Sequence, residues 1–482
     1  MLPQVSLKDY DGLNGFGSSS MTDVNELTKA LSAGYQTSGQ TSGSALRVES
    51  LESSLKVVSF TNKHIKLWKK IPKSAAYSTV EEFNVLSSYG AGGAFGFTRE
   101  GEIPQSQDST YTRQTALVKF IGTTRSVTHP ATLVNPAHGD VIALENQNGI
   151  LWLLERTEDA LFHGNSSLAF DGESEAFDGL DSLISSGNVI DLEGQPLQEA
   201  DIEEASNQII ESFGYPTDMF LGTRAMSDLV KTFYPRERIN LPAPSDGKVG
   251  LAISSMATQA GNVDFNPNVF IKQAKSPPSA STSANAPATP GTPTVAAVTG
   301  TTANWAKLLG TPSGTTRFSY RVTACNRFGE SAASASVNAD LTPANVAAGT
   351  HVPLTVVNAA SVGANPPEFF IVYRTNALAA GATAPTAMSS YSEVARVRCS
   401  LQTAAGNGAT FNDVNLNLPF TETAYLGELT PSVLTFRQLA PLMRMDLAVL
   451  APAYRWMILM YGTPILFAPA KWTRMINVGR IS

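Results

Sequence analysis

Few residues of this chain are spaced for chemistry. The histidines His64, His129, His138, His163 and His351 are scattered, and no two stand three or four apart as a helical metal site requires. Gly247-Lys248 lacks both the upstream glycine and the following hydroxyl of a phosphate-cradling loop, and there is no Gly-x-Ser-x-Gly elbow. Asp264-Phe-Asn-Pro-Asn268 opens like a calcium loop, but its sixth position is not glycine and Lys275 stands where a bidentate glutamate belongs. Glu155, Glu158 and Asp159 could supply a carboxylate pair. Arg156 lies among them, however, and such spacing is ordinary on a solvated helix face, which is the expectation here. The sequence therefore suggests no catalytic, cofactor-binding or metal-ligating residues, no cofactor and no enzyme, and points to a structural role.

At 482 residues the chain has room for two or three domains. An apolar content of 43% fits a globular protein, and the low charged content of 16% goes with large surfaces buried between subunits. A net charge of −7 and a pI near 5.4 argue against a protein built to grip DNA or anionic lipid. The start, Met1-Leu-Pro-Gln-Val5, does not read as a signal peptide. The apolar stretches Leu447 to Tyr454 and Trp456 to Tyr461 are too short to span a bilayer. The two cysteines, Cys325 and Cys399, are expected as free thiols.

Several elements can be placed. Residues 1–50, polar and rich in glycine and serine, read as an extended arm lying on another subunit. The basic run Lys63 to Lys73 is punctuated by Ile65, Trp68 and Ile71. It is either a solvated face with three apolar anchors or a contact with an acidic neighbour or nucleic acid. Ser78 to Leu86 and Tyr111 to Val127 read as strands flanking a glycine-rich tip, Gly90 to Pro104. As one strand the second run would reach about 55 Å. A lone two-stranded ribbon is marginal in water, so its faces must lie on something else. Asp140 is placed to cap a helix running to His163, with Leu144, Leu151, Leu154, Leu161 and Phe162 as its apolar positions and Gly149 as an interruption. Glu199 to Phe213 reads as an amphipathic helix through Ile202, Ala205, Ile209 and Phe213, followed by a buried strand at Met219 to Gly222. The tail is expected to alternate short β-runs with turns at Pro452, Tyr461-Gly-Thr-Pro464 and Pro469.

Between Ser276 and Thr423 the texture changes. A stiff joint from Ser276-Pro277-Pro278 to Pro293 leads into short alternating strands, Phe318 to Asn326 and Phe369 to Tyr373, and charged residues thin out. A β-sandwich is spliced into a mixed body that continues at 424–482. Tyr320, Val322 and Ala324 supply its core face and turn Cys325 away from it. Cys399 shares the parity of Val397 and should face the core.

The body then resembles a known family. Ala45-Leu-Arg-Val-Glu-Ser-Leu-Glu52 and His64-Ile-Lys-Leu-Trp-Lys-Lys-Ile-Pro72 are similar to the N-terminal arm of tailed-bacteriophage major capsid proteins. Tyr77-Ser-Thr-Val-Glu-Glu-Phe-Asn84, the glycine-rich tip and Asp108-Ser-Thr-Tyr-Thr-Arg113 resemble that family's extended hairpin, and Thr124-Arg-Ser-Val-Thr-His-Pro130 leads into a segment like its spine helix. The resemblance implies an α+β fold of the HK-ninety-seven type. Its parts would be an arm (1–76), an extended hairpin (77–128), a peripheral domain with the spine helix (129–175), an axial domain (176–275) and a C-terminal segment completing both (424–482). It implies a self-assembling icosahedral shell around phage double-stranded DNA, built from pentamers and hexamers of this chain in the host cytoplasm. Scaffold, portal and cement proteins and non-specifically held DNA would be further partners, with no membrane. Some relatives weld their shells by an isopeptide bond from a hairpin-tip lysine. Gly90 to Thr110 contains no lysine, so a non-covalent shell is expected. Contacts between subunits are expected at Lys66, Trp68, Lys69, Lys70, Arg99, Glu100, Glu102 and Arg113.

The insert (276–423) resembles fibronectin type III or immunoglobulin-like domains through Tyr320-Arg-Val-Thr-Ala-Cys-Asn-Arg-Phe-Gly-Glu-Ser331 and Ile371-Val-Tyr-Arg374. This implies a binding or spacer module on the outer surface. Two other readings are a secreted adhesin or glycan-active enzyme carrying such a module, which should show a secretion signal and paired carboxylates, and an encapsulin-like cargo shell, which would hold no DNA.

Overall fold

The computed structural model describes residues 61–90, 96–134, 139–170, 176–233, 253–271, 275–307, 314–359, 365–400, 406–449 and 451–481. The arm expected over 1–50 falls outside them, as do part of the glycine-rich tip and His138. Residues 59–130 and 142–482 belong to one compact unit. The few described residues of 131–141 belong to a second.

Two sheets and one long helix make the body. The first sheet runs in the order Lys73–Ala75, Leu434–Asp446, Ala453–Leu466, Lys119–Thr128. Trp456, Ile458 and Met460 alternate along its third strand and are fully buried. The turn expected at Tyr461-Gly-Thr-Pro464 does not form. The strand continues through it, and Gly462 and Pro464 pair with Gln438 and Phe436.

The second sheet is six-stranded and mixed, in the order Val189–Asp191, Trp472–Val478, Glu422–Gly427, Asp218–Gly222, Gly261–Asn268, Ser255–Thr258. Period-two alternation divides its residues. Met219, Leu221, Ala424, Leu426 and Met475 share a core with Ile202, Ala205 and Ile209 of helix Glu199–Glu211 and Leu229 of helix Thr223–Phe233. Phe220 and Tyr425, the intervening residues, meet Phe162 of the long helix, with ring centroids 6.0 and 5.5 Å away. The Asp264 to Asn268 segment is thus a strand, and its asparagines bond to carboxylates of the same chain. Phe213 does not belong to the buried helix face. The helix ends at Glu211, and Phe213 takes a left-handed φ of 59° and is 89% exposed.

The long helix spans Val141–His163. Of its expected apolar positions Leu161 and Phe162 are buried, Leu144, Leu151 and Leu154 are half-buried, and Gly149, Leu153, Thr157 and Glu158 complete the buried stripe. Gly149 is a crossing point rather than an interruption. A Cβ there would lie 2.5 Å from Ile458 Cδ1 and 3.2 Å from Arg125 Cγ, so the missing side chain lets helix and first sheet approach.

The long strand expected from Tyr111 to Val127 is two strands. Among the described residues Thr110–Leu117 pairs only with Val80–Ser88, forming a two-stranded ribbon, whereas Lys119–Thr128 joins the first sheet. Val118, buried between them, donates its N–H to the Thr79 carbonyl at 2.8 Å and marks where the ribbon leaves the body.

Residues 294–413 build two antiparallel sheets packed face to face. Thr316–Asn326 pairs with Phe369–Arg374, which pairs with Ser392–Arg398. Val352–Val357 lies between Thr294–Val295 and Asn407–Asp413. Phe318, Tyr320, Val322 and Ala324 face Val352, Leu354 and Val356 across the core. Cys399 faces this core, Cys325 lies on the other face with Ile371, Tyr373 and Tyr391, and both are free, as expected.

Candidate assembly surfaces and the joint at the insert

The basic run is bolted to the body at its main chain. Glu158 is fully buried. Its Oε1 accepts the N–H groups of Lys66 at 2.9 Å and Leu67 at 2.8 Å, and its Oε2 accepts that of Trp68 at 2.8 Å. Asn268 Nδ2 donates a fourth bond to Oε1 at 2.7 Å. The expectation that Glu158 sits on a solvated face is therefore wrong. The carboxylate takes three otherwise orphaned donors where helix Leu67–Lys70 begins, which satisfies their buried polarity. Ile65, Leu67 and Ile71 are buried, and Trp68 is half-buried, edge-on to Phe436 at 4.8 Å with Lys73 over its face at 4.4 Å.

The expected contact residues thus divide. Lys66 and Trp68 are held by their own chain. Lys69 donates to the Asn62 carbonyl, and Lys70 pairs with Asp218, itself bonded to Asn266 and Thr217. Arg113 pairs with Glu82 across the ribbon. Arg99, Glu100 and Glu102 stand exposed at the tip, where Glu102 N–H meets the Arg99 carbonyl at 3.1 Å to close a turn. Tyr89, Phe97 and Ile103 are 86%, 91% and 93% exposed, and Tyr111 and Leu117 also lie open. The ribbon and its tip therefore present large apolar side chains that the described residues leave uncovered.

At the insert, sequence reasoning missed two clasps. On the entry side, His163, the last residue of the long helix, sits between Asp181 Oδ2 at 2.7 Å and the Phe270 carbonyl at 3.1 Å. Asp181 Oδ1 also accepts Tyr425 Oη–H at 2.7 Å and Arg474 Nη1–H at 3.0 Å. Burial pushes the Asp181 carboxyl up, but the hydrogen bond and charge of His163, with Arg474 and Tyr425, outweigh it and hold the pKa at about 2. For His163, burial pulls down, while the hydrogen bond and charge of Asp181 and the charge of Asp159 prevail over it and over Arg396, so its pKa is raised. On the exit side, Asn477 Oδ1 accepts Leu418 N–H at 2.7 Å, and its Nδ2 donates to the Leu416 carbonyl and to Asp191, each at 2.8 Å. Lys307 of the insert closes on the same Asp191.

Inside the sandwich, Arg374 is fully buried. Its Nη1 donates to Asp413 Oδ2 at 2.6 Å and its Nη2 to Asn415 Oδ1 at 2.6 Å, while Tyr320 Oη–H reaches Asp413 Oδ2 at 2.9 Å. Its guanidinium lies over the rings of Phe318 and Trp305, at 5.0 and 5.6 Å. Burial pulls the Arg374 pKa down, but the charge of Asp413 and its bonds outweigh this and raise it. No cluster of metal-ligating side chains occurs among the described residues. The chemistry of these groups is that of joints, not of a reaction centre.

No protein-family profile matches the chain. Whole-length sequence relatives do. A protein described as a putative major capsid protein of Enterococcus phage phiEF24C is 27% identical over 466 residues, covering 95% of each chain. The major capsid protein of Staphylococcus phage K is 26% identical over 471 residues, covering 95% of this chain and 96% of its own. Among solved structures, one from Gordonia phage Cozz aligns with a TM-score of 0.44 at 8% identity, covering 99% of this chain and 98% of its own. The capsid of a native GTA particle aligns at 0.43 and 7%, covering 91% and 97%. Along 95% of its length the chain is thus similar to phage major capsid proteins, and these matches support a shell-forming structural role.

Proposed function

We propose that this chain closes with copies of itself, as pentamers and hexamers, into an icosahedral shell around double-stranded DNA. The ribbon lies across neighbouring copies, and the sandwich, read as an immunoglobulin-like domain, stands on the outer face. The division into arm, hairpin, peripheral, axial, inserted and C-terminal segments belongs to the same reading, as do contacts between copies through Arg99, Glu100 and Glu102. The single observation that carries it is the ribbon, two strands that among the described residues pair only with each other and leave Tyr89, Phe97, Ile103 and Tyr111 exposed. Such a ribbon gains its stability from a surface supplied by another molecule. The acidic net charge suits a container that must not stick to its contents. The test replaces residues 89–109 with a short turn. Folded subunits that no longer close into shells support the reading, and normal shells contradict it.

A further inference from the structure

The two nitrogens of His163 both face oxygen acceptors, a carboxylate on one side and a main-chain carbonyl on the other. An imidazole donates from both nitrogens only when doubly protonated. Phe270 lies just past the end of strand Gly261–Asn268, on the path into the insert, so its carbonyl marks where the chain departs from the body. We propose that His163 is a proton-operated clasp: as imidazolium it ties Asp181 to the departure point of the insert, and loss of one proton to solvent releases that tie and loosens the sandwich on its seat.

The surroundings fit this role. His163 lines a cavity of about 250 Å³ whose opposite wall is insert strand Ser392–Arg398 and whose rim includes Leu416 and Asn417 on the return path. A second cavity of about 250 Å³, lined by His163 with Arg327, Glu368 and Phe369 of the insert, adjoins it. Open space therefore adjoins His163 on the insert side.

The charges around the ring decide the direction. Asp181 from helix Leu180–Leu183 and Asp159 from the histidine's own helix favour the imidazolium. Arg474 from the tail strand is bonded to Asp181, and Arg396 from the insert is bonded to Glu393 at 2.6 Å, so both opposing cations are compensated. Tyr425 from the central strand donates to Asp181 and stays neutral, its pKa pushed well above 10 by burial and by the Asp181 charge. Lys307 and the Asn477 clasp hold the exit side through Asp191, Leu416 and Leu418, with no histidine among them, so only the entry side opens.

The experiment uses the full chain in whatever assembled state it adopts. Exchange of the histidine ring C–H, read by mass spectrometry, gives the midpoint of His163. Main-chain amide exchange around Ile271 and along Ser392–Arg398 is followed over the same pH range after correction for intrinsic rate. The expected result is a His163 midpoint above the ordinary histidine value of 6.5, with protection at the insert entry falling by about tenfold or more across that same midpoint. A His163→Gln variant should show no such step, although its body melts cooperatively. Protection that stays flat through the His163 midpoint overturns the proposal, and so does a step that persists unchanged in the His163→Gln variant.

Discussion

Glu158 Oε1 lies 2.8 Å from the amide nitrogen of Leu67, and both residues are fully buried. The pair joins the middle of the long helix to a segment ninety-one residues upstream, through main chain rather than through the lysines that make that segment conspicuous. Removing the carboxylate strands three buried N–H groups and an asparagine. Glu158→Ala should cost about 3–5 kcal/mol. Glu158→Gln should cost less, since its amide nitrogen would face only the Trp68 donor. Thermal unfolding of the two variants checks the order, while Lys69→Ala, at an exposed side chain, should melt within about 0.5 kcal/mol of the parent.

The joint should have a pH window. Asp181 is held at about 2, so its contribution is present above the ordinary carboxylate value of 3.8 and is lost as pH falls toward 2. His163 is raised, so its contribution is full below 6.5 and is lost as pH climbs through its higher folded value. Stability from this pair is thus greatest between about pH 4 and 6.5. Asp181→Asn should remove the acid limb and cost about 2 kcal/mol near pH 6, measured by melting across that range.

Arg374 offers a test inside the sandwich. Arg374→Met leaves Asp413 buried with the tyrosine and one main-chain donor as partners, and should destabilise the insert by about 3–5 kcal/mol. Adding Asp413→Leu to that variant should recover much of the loss, because the uncompensated charge goes with it. Melting of the two variants, followed by exchange within Thr316–Asn326, separates the outcomes.

Gly427 pairs with Trp472 across neighbouring strands of the second sheet. A Cβ there would fall 2.1 Å from Trp472 Cδ2, part of a rigid and fully buried ring. Gly427→Ala should therefore destabilise by about 1–3 kcal/mol through overpacking. Near-UV circular dichroism should show the displaced indole before the main transition.

The welded-shell chemistry should be absent. Arg99 is the base of the tip, Gly90 to Thr110 has no lysine, and arginine does not form the bond. Particles boiled in detergent should run as monomer on a gel, without ladders.

Much of this architecture can be read from local pattern. The long helix, the helix that begins at Glu199, the sandwich core face and the separate faces of the two cysteines follow from periods of 3.6 and 2. What escaped was set by distant partners. Glu158 looks like any helix-surface carboxylate, because nothing nearby shows that Leu67 and Asn268 converge on it. The tail strand passes through Gly462 and Pro464, which read locally as a turn, because Gln438 and Phe436 hold it extended. Val118 breaks an apparently continuous strand because its two halves find different sheets. His163, Asp181 and Asn477 carry no sequence signal beyond residue type, and only tertiary folding brings them to the insert.

The most direct measurement is sedimentation of the freshly expressed full chain, with electron microscopy of the same fractions. Closed shells of uniform size, carrying the sandwich as outward projections, are the predicted result. A compact monomer that persists at high concentration and never closes would contradict the account.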